Sequence, residues 1–260
     1  MQIAIVLYPG LTTLDAVGPY EVLRFIPNCD LRFVSHAPGP IVTDSGILVL
    51  GATHSYDETP TPDIVLVPGS EANTTTAMAD GRLLKWLNNA HQTSRYTLSV
   101  CSGALILAAA GILKGHPATT HWIAQDRLPA FGAKPQRDRR IVQSGKIVTA
   151  AGVSAGIDLA LFVLGEVCGR ERAEIAQLLI EYDPQPPFQA GHPSKASKAV
   201  FEAARAEMLA RSRNPRNAIS VPVILWRNAL NRVRAKLGIT RTNAQQGAQA
   251  DRPAGGGPVA

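Results

Sequence analysis

Cys101, Asp15, Ser102, Gly69, Ser70 and His121 are the residues whose types and settings could do chemistry. Cys101 stands in Ser99-Val100-Cys101-Ser102-Gly103, where an apolar run stops and a glycine follows two residues later. A thiol at that junction meets the positive end of the following helix, which lowers its pKa and populates the nucleophilic thiolate. Gly103 permits the tight turn, and the pattern is related to the strained nucleophile elbow of hydrolases. Cys101 is therefore expected to be a reactive, accessible thiol. Asp15 could move protons beside such a nucleophile, or it could simply stabilise the start of its own helix; Glu21 is the rival acid. Gly69-Ser70 follows an apolar run and Pro68. Its amides, with that of Ser102, offer donors to a developing anion, although a plain β-turn accounts for the same residues. His121, next to Trp122, is a base or a polar pocket group, or a structural histidine. Cys29 and Cys168 lack comparable settings and read as core residues.

The elements that must position these residues alternate between strand and helix. Residues 2–8, 30–35, 63–67 and 96–100 read as strands, residues 41–50 as a strand or a hairpin with a turn at Asp44-Ser45-Gly46, and residues 141–150 as a hairpin through Ser144-Gly145-Lys146. Helices are expected after Asp15 to about residue 25, over 81–91, from Cys101 to about 113, and from Ser154 or Ala155 to about 181. This alternation predicts a doubly wound, mainly parallel sheet with helices on both faces, an α/β architecture. In such sheets ligands bind beyond the carboxyl ends of the strands. The stretches after Tyr8-Pro9-Gly10, at Pro68-Gly69-Ser70 and at Cys101 should then share one rim.

After Tyr182 the texture changes. Asp183-Pro184-Gln185-Pro186-Pro187 cannot be helical, because proline fixes φ and lacks a donor. Helices over 195–212 and 221–238 are expected next, and from about 240 the Gln-, Ala-, Gly- and Pro-rich composition reads as disordered. The expected organisation is a catalytic α/β domain over 1–194, a basic helical extension over 195–239 and a tail over 240–260.

The net charge of +6 is unevenly placed: residues 1–194 carry −3 and residues 195–260 carry +9. Basic character therefore belongs to the extension. Its spacing gives no clear helix-turn-helix; a nucleic-acid role would predict salt-sensitive binding that disappears on deleting 213–260. The 3 cysteines are far apart and have no metal-ligand spacing, which fits free thiols in a reducing compartment. No leader pattern opens the chain and no apolar stretch is long enough to span a bilayer. The expectation is a cytoplasmic protein without a membrane partner or a metal.

The segments Leu14-Asp15-Ala16-Val17-Gly18-Pro19, Val67-Pro68-Gly69, Ser99-Val100-Cys101-Ser102-Gly103, Ala118-Thr119-Thr120-His121-Trp122 and Glu181-Tyr182-Asp183-Pro184-Gln185-Pro186-Pro187-Phe188 carry a resemblance. The chain resembles the DJ-1/PfpI superfamily, with its flavodoxin-like fold and cysteine elbow, and within it the isocyanide (isonitrile) hydratase branch, over residues 2–210 or so. The resemblance implies Cys101 as nucleophile, Asp15 as the acid touching it, and Ser102 at the place of a threonine hydroxyl near the site. It also implies Gly69 and Ser70 at an anion-binding turn and Val153 in the backbone near the cysteine; His121 and Trp122 join the substrate-binding set. Two departures stand out: Ser70 replaces the usual second glycine, and Ser102 replaces threonine. Position 102 is not histidine, unlike the protease-like members.

The resemblance further implies a cofactor-independent lyase that hydrates an isocyanide to a formamide through a thioimidate, and a homodimer. Two alternatives use the same thiol: a glyoxalase-like enzyme acting on a 2-oxoaldehyde, and a non-enzymatic redox sensor or regulatory domain.

Overall fold

The computed structural model describes residues 1–212 and 217–236. In chain order its elements are β1 (Gln2–Val6), α1 (Thr13–Leu23), β2 (Asp30–Ser35), β3 (Gly39–Val42), β4 (Val49–Ala52), β5 (His54–Ser55), β6 (Ile64–Val67), α2 (Thr74–Ala79), α3 (Gly81–Thr93), β7 (Tyr96–Ser99), α4 (Gly103–Ala109), β8 (Pro117–Ala118), a 3-10 helix (Trp122–Phe131), β9 (Lys134–Pro135), β10 (Ile141–Ser144), β11 (Ile147–Ala150), α5 (Ala155–Cys168), α6 (Arg170–Leu179), α7 (Lys198–Arg211) and α8 (Asn217–Lys236).

Seven strands form one sheet in the order β10-β11-β7-β6-β1-β2-β5. Every pairing is parallel except β10 with β11. A parallel strand covered on both faces must be apolar along its whole length rather than alternating. That is why Ile3-Ala4-Ile5-Val6 and Ile64-Val65-Leu66-Val67 are continuous runs, and all eight residues are buried. Helix α1 packs against α5, and α3 against α4, covering the sheet. In α3 the stripe Leu83, Leu84, Leu87 and Ala90 is buried, and Asp80 caps the helix by accepting from the amides of Arg82 and Leu83, each at 3.0 Å.

The expected α/β sheet is present. Its chain runs outward from β1 to β2 and β5, then returns to the other side of β1 through β6, so the reversal lies between β1 and β6. The three special loops follow β1, β6 and β7, which are neighbours, and so lie on one rim as expected.

Several details differ from the sequence reading. The helix expected from 154/155 to 181 is two, α5 and α6, broken at Gly169 with φ +89°, a left-handed conformation that ends a helix. The helix after Cys101 is shorter than expected and stops at Ala109. The Thr-rich α2 and the 3-10 helix were not expected at all. The helices read over 195–212 and 221–238 correspond to α7 and α8. The tail read over 240–260 lies outside the described residues. Among the described residues no helix is long and apolar enough to cross a membrane.

Candidate active site

Cys101 follows β7 directly and has φ +56°, the left-handed region that non-glycine residues seldom occupy. Its backbone is held from three sides. The Cys101 amide donates to the Ala151 carbonyl at 2.9 Å, and Thr120 Oγ1 donates to the Cys101 carbonyl at 2.8 Å. Thr120 is itself fixed by Gln125, whose Nε2 donates to the Thr120 carbonyl at 2.9 Å. The third constraint is Gly103: a Cβ there would lie 2.1 Å from the Val67 carbonyl oxygen, so the first residue of α4 must be glycine for the turn to close against β6. The expected elbow is thus a strained backbone stabilised by tertiary bonds.

Asp15 sits in the first turn of α1 and is fully buried. Its carboxyl does not cap its own helix. Oδ2 accepts the Gly69 amide at 2.8 Å, so the loop after β6 holds the acid from across the rim. Gly69 is compressed between its neighbours: a Cβ there would lie 2.5 Å from Ser102 Oγ and 3.0 Å from Asp15 Oδ2. Oδ1 is buried without a hydrogen-bond partner among the described residues. The rival acid, Glu21, is half-exposed in an ion pair with Arg24 at 2.9 Å, remote in role from this rim.

The electrostatics reverse one expectation. Burial pushes the Cys101 thiol well above its ordinary pKa, and the charge of Asp15 pushes it further. The Ser102 and Val153 amides and the Ser102 hydroxyl pull it down, but they are outweighed. The predicted low-pKa, accessible thiol is therefore corrected. Cys101 is only 6% exposed, and desolvation of the charged form dominates the helix end. Burial likewise raises the Asp15 carboxyl to about 7, opposed by the Gly69 amide and by the Cys101 thiol. The thiol and the carboxyl thus perturb each other directly, though no aligned hydrogen bond joins the sulfur to Oδ1. The buried site disfavours two negative charges at once.

A second correction concerns the anion-binding turn. The Gly69 amide is occupied by Asp15, and the Ser70 amide donates to Ser102 Oγ at 3.0 Å. Neither is an open donor; the amides directed at the sulfur are those of Ser102 and Val153. Ser102 Oγ also meets Thr74 Oγ1 at 2.7 Å, and both hydroxyls contact the Ser70 carbonyl, at 3.1 and 2.9 Å. The Ser70 hydroxyl, absent from the usual diglycine, bonds the Gly10 carbonyl and accepts the Asn73 amide at 2.9 Å. The serine therefore ties the loops after β1 and β6 together.

A cavity of about 420 Å³ opens onto Cys101. Ser70, Ser102, Val153, His121 and Trp122 line it, as do residues of α7. Asp15 lies behind Cys101 and is not part of the lining. Burial lowers the His121 pKa to about 4, so its imidazole is neutral at pH 7 and is a weak base; Nδ1 faces the Ile123 amide at 3.4 Å.

Sequence reasoning missed four contributors: Tyr8, Thr74, Thr120 and the α7 face. The buried Tyr8 hydroxyl donates to the Pro68 carbonyl at 3.0 Å and so steadies the turn that holds Asp15. Phe201, Arg205, Met208 and Leu209 of α7 and its C-cap Ser212 recur at helical spacing on the cavity side. That periodicity was available as a signal, but not the surface it would face. Among the described residues no cluster of three or more His, Cys, Asp or Glu could hold a metal ion.

With this geometry in view, likeness to known proteins can be stated. The family model described as DJ-1/PfpI family matches residues 1–166. An isonitrile hydratase of Pseudomonas putida is 40% identical over 205 residues, covering 79% of this chain and 89% of that protein. The crystal structure of a THiJ/PfpI family protein from Pseudomonas syringae superposes with a TM-score of 0.77 at 35% identity, covering 84% of this chain and 90% of the other. Drosophila melanogaster DJ-1beta superposes with a TM-score of 0.63 at 17% identity over 69% of this chain and 97% of its own, a likeness of fold alone.

Proposed function

The chain belongs to the DJ-1/PfpI family, and from that premise we propose that it is a cysteine-dependent hydratase converting an isocyanide, R–N≡C, to an N-substituted formamide. The observation that carries the reading is the buried pair, a strained thiol at Cys101 facing the cavity and the Asp15 carboxyl behind it; in the proposed scheme the two share one proton. The identity to a Pseudomonas putida isonitrile hydratase supplies the substrate class.

The steps follow from where the proton sits. With the proton on Asp15, its charge no longer adds to the desolvation that raises the thiol pKa, and the Ser102 and Val153 amides are the groups that stabilise the thiolate. Cys101 Sγ attacks the isocyanide carbon and forms a C–S bond; Asp15 delivers its proton to that carbon, leaving the thioimidate R–N=CH–S–Cys. The Asp15 carboxylate then takes a proton from water as the water oxygen attacks the same carbon. Asp15 passes that proton to the nitrogen, and as the C–S bond breaks its carboxylate takes the proton of the new hydroxyl, so R–NH–CHO leaves with the thiolate and the protonated Asp15 restored. The net reaction adds one water. Two low barriers replace one high one, and a carboxyl titrating near 7 suits both proton transfers. Ser102 positions the loop of Gly69 and Ser70; His121 and Trp122 shape the pocket as neutral walls. The chemistry calls for neither a metal nor an organic cofactor.

Free cysteines fit a cytoplasmic setting, and the reading includes a homodimer. Exposed apolar side chains such as Ile47 (89%) and Leu178 (80%) leave apolar surface available to a second copy; a solution mass of one chain would contradict the homodimer. The test of function is to incubate the protein with an aryl isocyanide and follow the formamide. Absence of turnover, or equal turnover by Cys101→Ala, would sink the proposal. Lactate production from methylglyoxal without isocyanide turnover would favour the glyoxalase-like alternative instead. Burial and the raised pKa of Cys101 weigh against an oxidation sensor.

A further inference from the structure

We propose that the cavity selects substrates whose far end carries a carboxylate, recognised by Arg127 and Arg205. The inference rests on the hydratase reading above and adds to it the class of substituent.

The argument starts from the shape of the cavity. The isocyanide carbon and nitrogen are two atoms, whereas the space above Cys101 is about 420 Å³. Most of it must be filled by the substituent. One wall beyond the sulfur is apolar and partly aromatic: the Trp122 and Phe201 rings lie 5.2 Å apart between centroids, and Leu105 and Met208 also line the cavity. This body suits an aromatic or branched group.

Charge then distinguishes the outer end. Four charged side chains line the cavity: Glu71, Asp126, Arg127 and Arg205. Both acids are already engaged, Asp126 with Arg137 at 2.6 Å and Glu71 with Arg211 at 3.5 Å. On α7, Glu202 lies 3.9 Å from Lys198 and Glu207 is paired with Arg211. Among the described residues no ion pair or hydrogen bond engages the side chain of Arg127 or Arg205. They come from different elements, the 3-10 helix and α7, and both are solvent-exposed while contributing to the cavity. Arg205 is one turn from Phe201 on the same stripe of α7, so one helix presents both the apolar wall and the cation. A planar guanidinium presents paired donors that match a carboxylate. Two uncommitted ones on the exposed lining of a cavity with one apolar wall select a molecule with an electrophilic head, an apolar body and an anionic end.

The experiment compares 4-isocyanobenzoate with its neutral isostere 4-isocyanobenzamide. The expected result is a kcat/KM for the benzoate about three- to tenfold higher at low salt, the range for partly exposed charge-assisted contacts. The preference should shrink as ionic strength rises, fall toward one in Arg127→Gln and Arg205→Gln, and survive better in Arg205→Lys. A chemistry-free arm separates this inference from the hydratase reading: calorimetric binding of the products 4-formamidobenzoate and 4-formamidobenzamide. If neither isocyanide turns over, the hydratase reading fails, while selective binding of 4-formamidobenzoate that is lost in Arg205→Gln still supports the anion site. Equal binding of the two formamides by the wild-type protein, or a preference that neither glutamine variant diminishes, overturns it.

Discussion

Asp15 accepts the Gly69 amide at 2.8 Å through Oδ2, while its other carboxyl oxygen is buried and unpartnered. That one bond converts an acid in the first turn of a helix into a fixed group beside Cys101. It also consumes a donor that an open anion-binding turn would have offered. The carboxyl keeps one oxygen for a proton, and burial keeps that proton on at pH values where an ordinary aspartate has lost it.

Asp15→Asn should therefore lower kcat by about 10²- to 10⁴-fold, the range for a lost general acid–base group, while Asn retains an oxygen for the Gly69 amide. The wild-type rate should fall about tenfold per pH unit below pH 7, because there the pair carries two protons and the thiolate is absent. A pH–rate profile flat from 5 to 8 would rule the shared-proton scheme out. Stability gives an independent reading. The folded carboxyl, at about 7, binds its proton more tightly than the unfolded one near 3.8. Asp15 thus favours the folded state at low pH, and that contribution is lost as pH rises from about 4 through 7. Relative to wild type, Asp15→Asn should gain stability over the same window, by at most about 4 kcal/mol, measured as urea midpoints at pH 4.5 and 8.

The proposed intermediate can be looked for directly. In Asp15→Asn the attacked carbon must take its proton from solvent and the thioimidate then lacks its water-activating base, so a covalent adduct on Cys101 should form slowly and accumulate when the protein is mixed with a reactive aryl isocyanide. Intact-mass spectrometry should show the protein heavier by one isocyanide, with the adduct mapped to the peptide containing Cys101. Labelling of Cys29, which precedes β2, or Cys168, which ends α5, would count against the assignment, since neither lines the cavity.

The legible parts of this chain were those encoded locally. Buried parallel strands require unbroken apolar runs, so Ile3–Val6 and Ile64–Val67 were visible, and Pro68-Gly69 and Cys101-Ser102-Gly103 marked where they stop. The elbow was visible because Gly103 must follow. What Asp15 does was not visible, because its partner lies 54 residues away. The sign of the Cys101 shift was missed for a related reason: the helix end is local, while desolvation is a property of the finished fold. Ser70 looked like a departure from diglycine and is instead a three-way tie, which only the proximity of Gly10 and Asn73 reveals.

Ser70→Gly tests that tie. It restores the glycine but removes the hydroxyl that bonds the Gly10 carbonyl and receives the Asn73 amide. The expected cost is about 1–3 kcal/mol, since buried groups lose a partner and the loop gains freedom. Turnover should fall by less than in Asp15→Asn, because the Ser70 amide still reaches Ser102. A urea midpoint equal to or above that of wild type would show the serine to be incidental.

Phe201 tests whether α7 belongs to the working site. It is the ring that meets Trp122 at 5.2 Å, and it lies within the basic stretch that composition alone separates from the α/β body. If α7 merely rests on the surface, Phe201→Ala should alter KM equally for small and large substrates. If it is the outer wall, the loss falls on the substituent. KM for a naphthyl isocyanide should rise about tenfold, as expected for removing an aromatic contact and its buried area, while KM for methyl isocyanide stays within about twofold. In both cases kcat should change little, because the wall binds the substituent alike before and during the reaction. A matching rise for both substrates would make α7 a general support, and a fall in kcat with KM unchanged would place Phe201 closer to Cys101 than the cavity lining does.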